Sequence, residues 1–186
     1  MAADRKHSER IESLHDYGID EETRSIYFYD DVHDDSAAAL IKNLNVLCTD
    51  NDKPVNIYMQ TLGGCGFSGI TLHDYIRSLR NNHVTIIVMG YCMSAGPIIL
   101  QAADTRVCMP NSSIMIHEGS LFVNDTLSNS TEWARVAQKQ NDDMVNIFAE
   151  KMGEKPSILK KKIKVDMFFT AEEALEKNLV DEIWGT

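Results

Sequence analysis

Hydrophobic and polar positions alternate along this chain in blocks that predict strands and helices in turn. Strands are predicted at residues 24–29, 54–60 and 83–89, where aromatic and branched side chains concentrate. Between these strands, apolar residues recur every three or four positions, as on the buried face of a helix. The first helix has Ser36 as its predicted N-cap and a stripe of Leu40, Ile41, Leu44, Leu47 and Cys48, and the second has a stripe of Phe67, Ile70, Leu72, Tyr75, Ile76 and Leu79.

The second half of the chain continues the alternation. A long helix is predicted over 131–152, and polar residues interrupt its apolar stripe between 138 and 143. Such a helix can leave the domain to pack against a second copy or can lie on the surface, and the pattern leaves both open. Strands that alternate with helices indicate an α/β fold built from right-handed βαβ units. The other predicted elements are a helix over 97–103, strands over 105–109 and 113–117, a short helix over 171–177 and a closing strand over 179–184.

Length and composition indicate one domain spanning residues 1–186, because no repeat or linker divides the chain. No apolar run is long enough to span a membrane, and the charged N-terminus resembles neither a secretory signal nor a transit peptide, so we expect a cytoplasmic protein. Eighteen Lys and Arg against 28 Asp and Glu give a net charge of -10, which disfavours nucleic acid and anionic membranes as partners. The acidic residues concentrate early, and 1–23 forms an acidic opening segment.

Neither a disulfide framework nor a metal or cofactor site is expected from the cysteines and glycines. Cys48, Cys65, Cys92 and Cys108 form no CxxC pair, which suits free thiols in a reducing compartment. The glycines of residues 64–69 spell GxGxxG, but the acidic residue that would hold a ribose about 20 positions later is missing, and so is a phosphate-binding lysine.

One turn has the features of a nucleophile site. The run Gly90-Tyr-Cys-Met-Ser94-Ala-Gly96 follows a buried strand and opens a helix, so it holds Ser94 above the sheet beside backbone N–H groups that can stabilise an oxyanion. A serine nucleophile needs a base and a group that orients the base. His117 is the one histidine that ends an apolar strand, and Asp166 is a carboxylate within an apolar stretch. Each of the three also has a purely structural interpretation when taken alone.

Together these motifs resemble those of the proteolytic subunit of the Clp protease, the ClpP family of serine peptidases, over about residues 26–184. Met89-Gly-Tyr-Cys-Met-Ser94-Ala-Gly96 looks like the family's nucleophile turn, and Met109-Pro-Asn-Ser-Ser-Ile-Met-Ile-His117 is similar to its histidine signature. Val165-Asp-Met-Phe-Phe-Thr-Ala-Glu-Glu-Ala-Leu-Glu-Lys-Asn-Leu-Val-Asp181 resembles its aspartate segment and closing helix. The resemblance implies a crotonase-like α/β fold of repeated ββα and βαβ units, with a protruding handle helix within about 121–152.

The resemblance also implies roles for particular residues. Ser94 would be the nucleophile, His117 the general base and acid, and Asp166 the carboxylate that orients the imidazole, while the backbone N–H groups of Gly64 and Ala95 would form the oxyanion hole. It further implies two stacked heptameric rings of this chain that enclose the active sites. An AAA+ unfoldase of the ClpX, ClpA or ClpC type would feed in unfolded polypeptide, so that ATP is used by the partner and this chain needs no cofactor.

The chain departs from the family pattern at three places. Thr61-Leu62-Gly63-Gly64 stands where the family has Ser-Pro-Gly-Gly, Ala95 stands where a methionine is usual, and Glu118-Gly119 follows the histidine instead of Gln-Pro. The gating hairpin of the family is expected to be abbreviated in residues 1–23. The alternatives are therefore a ClpP-like processing protease that works without an ATPase, such as a viral head-maturation protease, and a catalytically silent ring subunit or crotonase-like scaffold.

Overall fold

A mixed sheet of eight strands forms the centre of the computed structural model, which describes residues 2–49 and 51–186. Met1, the first residue of the predicted acidic segment, and Asp50 lie outside the described residues. The strand order is β1-β2-β3-β4-β5-β8, and β6 joins β4 to β7. The strands are β1 (Ile19–Asp20), β2 (Ser25–Tyr29), β3 (Val55–Thr61), β4 (Val84–Met93), β5 (Thr105–Cys108), β6 (Ser113–Ile116), β7 (Met167–Thr170) and β8 (Glu182–Ile183).

Helices pack around this sheet and cover its apolar positions. They are α1 (Ala2–Tyr17), α2 (Asp34–Cys48), α3 (Gly66–Ser78), α4 (Gly96–Leu100), α5 (Leu127–Met152), α6 (Pro156–Lys162) and α7 (Ala171–Glu176). The pairs β2–β3, β3–β4 and β4–β5 are parallel, so the helices between them serve as crossovers, and the predicted α/β class is confirmed. In the central strand β4, Val84, Ile86, Ile87 and Val88 are buried, as expected for a parallel strand that is covered on both faces.

Strand β4 is longer than the sequence predicts, because it continues past residue 89 to Met93. Gly90 adopts a φ of +80° and donates its N–H to Ser112 Oγ at 2.8 Å. This bend lets β4 leave β5, which it pairs through Val88, and pair with β6 from Tyr91 onward. The predicted turn after residue 89 is therefore part of the strand, and the turn proper begins at Ser94.

Ser36 is not the N-cap of helix α2, so this prediction is wrong. Helix α2 is capped by His33, whose Nδ1 accepts the N–H of Ser36 at 3.3 Å, while Ser36 Oγ accepts the N–H of His33 at 3.0 Å. This reciprocal pair is a capping box with a histidine in the place that serine or threonine usually occupies. Asp34 and Asp35 thus fall in the first turn, where the helix dipole favours negative charge.

The acidic opening segment forms a helix, α1, that the apolar pattern does not predict. Arg10 fastens this helix to the turn after β1, because its guanidinium donates to both carboxylate oxygens of Asp20 at 2.9 and 2.6 Å and to Glu22 at 2.6 Å. The hydrogen bonds from Arg10 hold the pKa of the buried Asp20 carboxyl below its usual value, against the opposing effect of burial. Helix α1 is therefore held by charge more than by an apolar face.

The long helix α5 begins four residues before the predicted start at 131, where Thr126 Oγ1 accepts the N–H of Asn129. Its C-terminal half joins the hydrophobic core through the buried residues Met144, Val145, Phe148, Ala149 and Met152. None of residues 127–143 is buried, so the N-terminal half of the helix lies at the surface and contributes nothing to the core. The predicted handle helix is confirmed.

Other differences concern short elements. Strands β1 and β7 and helix α6 are not predicted, and α4 ends at Leu100 instead of 103. Leu179 and Val180 are buried as expected, but their N–H groups bond to Ala174 O in the turn that ends α7, so β8 begins only at Glu182. Within residues 2–49 and 51–186, no helix has the combination of length and hydropathy that a membrane span needs.

Candidate active site

Strand pairing brings Ser94, His117 and Asp166 to one place on the sheet. Ser94 follows β4, His117 follows β6, and Asp166 comes directly before β7. The register pairs Met93 with Met115 and Ile116 with Met167. Ser94, His117 and Asp166 are each the next residue along the chain from one of these paired residues. The sequence names the three residues, but it gives no sign of β7 and thus not of the pairing that brings Asp166 to the site.

Ser94 and His117 are in direct contact. The distance from Ser94 Oγ to His117 Nε2 is 2.7 Å, which is typical of a strong hydrogen bond. In the tautomer that has its proton on Nδ1, Nε2 is free to accept the hydrogen of the Ser94 hydroxyl. Nδ1 faces Asp166, which favours this tautomer. The ring is therefore placed to take a proton from the hydroxyl.

The contact between His117 and Asp166 is looser. Nδ1 lies 3.4 Å from Asp166 Oδ1, which is longer than an ordinary N–H···O hydrogen bond. The Asp166 side chain is 56% exposed and that of His117 is 29% exposed. The sequence places Asp166 in an apolar stretch, but the structure turns its carboxylate toward solvent, where water weakens its attraction to the ring.

The backbone of Ser94 is strained and is braced by its neighbours. Its φ is +56°, a conformation that costs a residue with a side chain about 1 to 2 kcal/mol. The N–H of Ser94 donates to Met115 O at 2.9 Å, which ties the turn to β6. Gly63 packs against it so closely that a Cβ at that position would lie 2.5 Å from Ser94 Cβ and 2.9 Å from the amide nitrogen of Ala95.

Two amide groups beside Ser94 have their hydrogen-bonding capacity free. The glycine loop, residues 61–64, is held by the backbone of Val32. The N–H of Val32 donates to Gly63 O at 2.7 Å, and its carbonyl accepts the N–H of Cys65 at 2.6 Å. The N–H of Gly64, which lies between these two bonded residues, takes part in neither bond. Within the described residues, neither Gly64 N–H nor Ala95 N–H donates a hydrogen bond. Both residues line the same hollow as Ser94 and His117, so their amides can donate to a negatively charged oxygen formed there.

The glycine loop lacks the family's proline, but a threonine closes it. Gly63 N–H donates to Thr61 Oγ1 at 3.0 Å, and Thr61 is buried. Gly63 and Gly64 have φ values of +95° and +139°, and a Cβ on Gly64 would lie 2.4 Å from Val32 O. Only glycine fits both positions without displacing the loop.

The hollow that holds these groups has a volume of about 120 Å³. Away from Ser94 it is lined by Ile98 from α4 and by Gln140 and Met144 from α5. Sequence reasoning missed these pocket residues, although the interrupted stripe at 138–143 marks where polar side chains of α5 turn toward the sheet. A hydroxyl bonded to a neutral imidazole, next to two free amide donors, can attack a carbonyl carbon and stabilise the resulting oxyanion.

The described part of the chain contains neither a cluster of metal-ligating side chains nor a disulfide bond. No three His, Cys, Asp or Glu side chains lie together there as metal ligands, and the four cysteines are free thiols. Burial raises the pKa of the Cys92 thiol well above its usual value and that of Cys108 to about 11, so both stay protonated at neutral pH.

The comparison with known proteins agrees with this geometry. The family model described as Clp protease matches residues 9–186. ATP-dependent Clp protease proteolytic subunit 3 of Rhizobium etli is 30% identical over 163 residues, which cover 87% of this chain and 84% of that protein. The ATP-dependent Clp protease proteolytic subunit of Paracoccus denitrificans is 29% identical over 154 residues, covering 82% and 77%. A solved ClpP1 structure from Listeria monocytogenes, a point mutant, superimposes with a TM-score of 0.80 at 24% identity, over 89% of this chain and 94% of that one, which supports the fold.

Proposed function

The chain belongs to the Clp protease family of serine-type endopeptidases, and from this premise we propose that it hydrolyses peptide bonds of unfolded polypeptides at Ser94. The observation that carries this assignment is the 2.7 Å contact between Ser94 Oγ and His117 Nε2 beside the free amides of Gly64 and Ala95.

The reaction follows from the position of each group. Ser94 Oγ forms a bond to the carbonyl carbon as its proton passes to His117 Nε2, and the carbonyl oxygen becomes an oxyanion that accepts hydrogen bonds from Gly64 and Ala95. The imidazolium then gives its proton to the leaving amine while the C–N bond breaks. Water then attacks the acyl carbon as its proton passes to the same nitrogen. The ester bond to Ser94 Oγ breaks, the imidazolium returns the proton to that oxygen, and the carboxylic acid product leaves. Asp166 orients the ring and stabilises its positive charge in both steps.

The alternatives are not favoured. The chain's relatives are named as proteolytic subunits of ATP-dependent Clp proteases, which argues against an ATPase-independent processing enzyme. A silent scaffold has no use for the strained φ of Ser94, which costs folding free energy, or for a hydroxyl placed on the imidazole of His117. Free thiols at all four cysteines support a reducing compartment, consistent with a cytoplasmic location.

We expect a fluorophosphonate probe to modify Ser94 and no other serine of the purified chain. The probe needs a serine whose proton a base can accept and whose tetrahedral adduct meets oxyanion donors, and Ser94 meets both conditions. Peptide mass spectrometry after labelling identifies the site. Ser157, which is exposed on α6, is the internal comparison, and labelling of both serines alike or of neither would contradict the assignment.

We also propose that copies of this chain form two stacked heptameric rings that receive substrate from an AAA+ unfoldase, as in the family. The N-terminal half of α5 supports this, because none of its residues is buried and the apolar side chain of Leu127 is 86% exposed. Light scattering at micromolar concentration is expected to give a mass near fourteen times 21.0 kDa. A 21 kDa particle under these conditions would contradict the ring proposal without affecting the assignment of Ser94.

A further inference from the structure

Strand β7 forms an uncovered edge of the sheet that carries exposed apolar side chains. Among the described residues β7 pairs with β6 alone, so its other side has no strand partner. Phe168 within the strand is 60% exposed, and Val165, two residues before the strand, is 73% exposed. An open strand edge with exposed apolar side chains is a surface that favours contact with another chain.

Unpaired lysines lie next to these apolar residues. Residues 155–165 contain five lysines and no acidic residue. Lys160 and Lys162 are engaged, because each pairs with a carboxylate of the same chain. The other three are exposed and have no carboxylate partner within residues 2–49 and 51–186, and they are Lys155, Lys161 and Lys164. We call the surface formed by Lys161, Lys164, Val165 and Phe168 the basic edge.

The opposite edge of the sheet has the complementary charge. Residues 25–41 contain four aspartates and no Lys or Arg. The ladder of β1 on β2 stops at Ile26, so the last part of β2 has no strand on its outer side, and the ring of Tyr29 there is 50% exposed. The four exposed aspartates follow Tyr29 directly, at Asp30, Asp31, Asp34 and Asp35. Tyr29 and these aspartates are the acidic edge.

The two edges lie at the same end of the sheet but on opposite sides of it. The strand order at this end is β2-β3-β4-β6-β7. The acidic edge follows the end of β2, and the basic edge adjoins the start of β7, which pairs with the end of β6. Four strand spacings separate the edges by roughly 19 Å, so they cannot form ion pairs within one copy. Two copies placed side by side can bring them together.

The inference rests on the proposed ring of identical copies. We infer that the basic edge of each copy docks on the acidic edge of its neighbour around the ring. Such a contact joins two different surfaces head to tail, which is the kind of contact that repeats around a closed ring. Each copy has a net charge of -10, so copies repel one another unless opposite charges face each other where they meet. The lysines and aspartates supply this local attraction and determine which edge meets which.

Reversing the charge of one edge tests the contact in the full chain. Lys161→Glu with Lys164→Glu makes both edges acidic, and Asp31→Lys with Asp35→Lys makes both edges basic. In about 0.1 M salt, where charges interact over about 10 Å, each double variant should need at least about 10-fold more protein to assemble than the wild type. Light scattering over a dilution series measures this concentration. Activity is not the readout, because Lys164 is close in sequence to Asp166.

Combining both reversals in one chain distinguishes a lost contact from a damaged fold. The fourfold variant again has opposite charges on its two edges, so it should assemble within about threefold of the wild-type concentration. Lys161→Gln with Lys164→Gln removes the charge without reversing it and should give a smaller shift, which keeps the test readable if a reversed chain folds poorly. Asp31 bonds to its neighbours through backbone groups alone, so its substitution removes no internal side-chain contact.

A control changes the same net charge elsewhere. Lys53 and Arg80 are exposed before β3 and β4, at the other end of the sheet. Lys53→Glu with Arg80→Glu alters the net charge as much as the basic-edge reversal does, and it should assemble like the wild type.

The outcomes separate this inference from the proposed function. A wild-type ring that neither reversal weakens overturns the inference and leaves the ring proposal intact. Weakened assembly that the fourfold variant does not restore also overturns it, because the edges would then meet other surfaces. A wild-type mass of 21.0 kDa overturns the ring proposal and this inference together, while fluorophosphonate labelling of Ser94 reports separately on the peptidase. Loss in both double variants and recovery in the fourfold variant support the inference.

Discussion

Replacing Ser94 with alanine should reduce peptide hydrolysis by a factor on the order of 10⁴ to 10⁶. The variant removes the only atom that forms the covalent bond to the substrate, while the imidazole of His117 and the amides of Gly64 and Ala95 remain. The residual rate reflects binding and oxyanion stabilisation alone. Initial rates on a fluorogenic peptide, with the protein concentration raised for the variant, measure the loss.

The fold should survive this substitution. Ser94 is held by backbone contacts, and within the described residues its side chain makes one hydrogen bond, to His117. Thermal unfolding and particle mass should therefore match those of the wild-type protein. Ser157→Ala on the exposed face of α6 is the control and should retain full activity. If Ser94→Ala kept more than a few per cent of the wild-type rate, another residue would have to be the nucleophile.

Gly63→Ala should cause the second-largest loss of activity, although Gly63 takes no part in the reaction itself. An added Cβ would meet Ser94 Cβ at 2.5 Å, Met93 O at 2.6 Å and Ala95 N at 2.9 Å, so the nucleophile turn must shift. We expect kcat/KM to fall by a factor of about 10² to 10³, as when one oxyanion donor is lost, and the melting temperature to fall as well.

A second glycine separates the effect of the steric collision from the effect of the left-handed backbone. Gly185 has a φ of +82° but nothing within 4 Å of the position that a Cβ would take. Gly185→Ala therefore carries the cost of the left-handed backbone without the collision and should retain activity. Equal turnover in the Gly63→Ala and Gly185→Ala proteins, both folded, would show that the approach of Gly63 to Ser94 has no role in catalysis.

The sequence predicts most of the sheet because its signal is local. Branched and aromatic residues mark β3, a nearly continuous apolar run marks β4, and the three-and-four spacing marks α2 and α3. The ends of β3, α2 and α3 lie within three residues of the expected positions, whereas β4 continues four residues past its expected end. Helix α1 escapes prediction because it has no apolar stripe and depends on the ion pair between Arg10 and Asp20, residues that are distant along the chain. The cap at His33 escapes because histidine is an unusual residue in a capping box.

In the candidate site, too, local features are predicted from the sequence and non-local ones are not. The sequence names Ser94 and His117 because each directly follows a strand, but the exposure of Asp166 depends on β7, whose pairing with β6 is not local. Similarly, periodicity does not show that Gln140 lines the hollow, because this depends on how α5 lies against α3 and α4. Local patterns thus locate the reacting groups, while non-local packing determines the surroundings that tune them.

The short ladder between β4 and β6 also makes the geometry of the site depend on the register of two strands. Three rungs, from Tyr91 with Ser113 to Met93 with Met115, set how Ser94 and His117 face each other. A slip of two residues would separate them by roughly 6 to 7 Å, and a slip of one would turn the side chains to opposite faces. A copy in which these two strands are not yet paired therefore has the complete set of reacting groups but lacks the geometry in which they can act together.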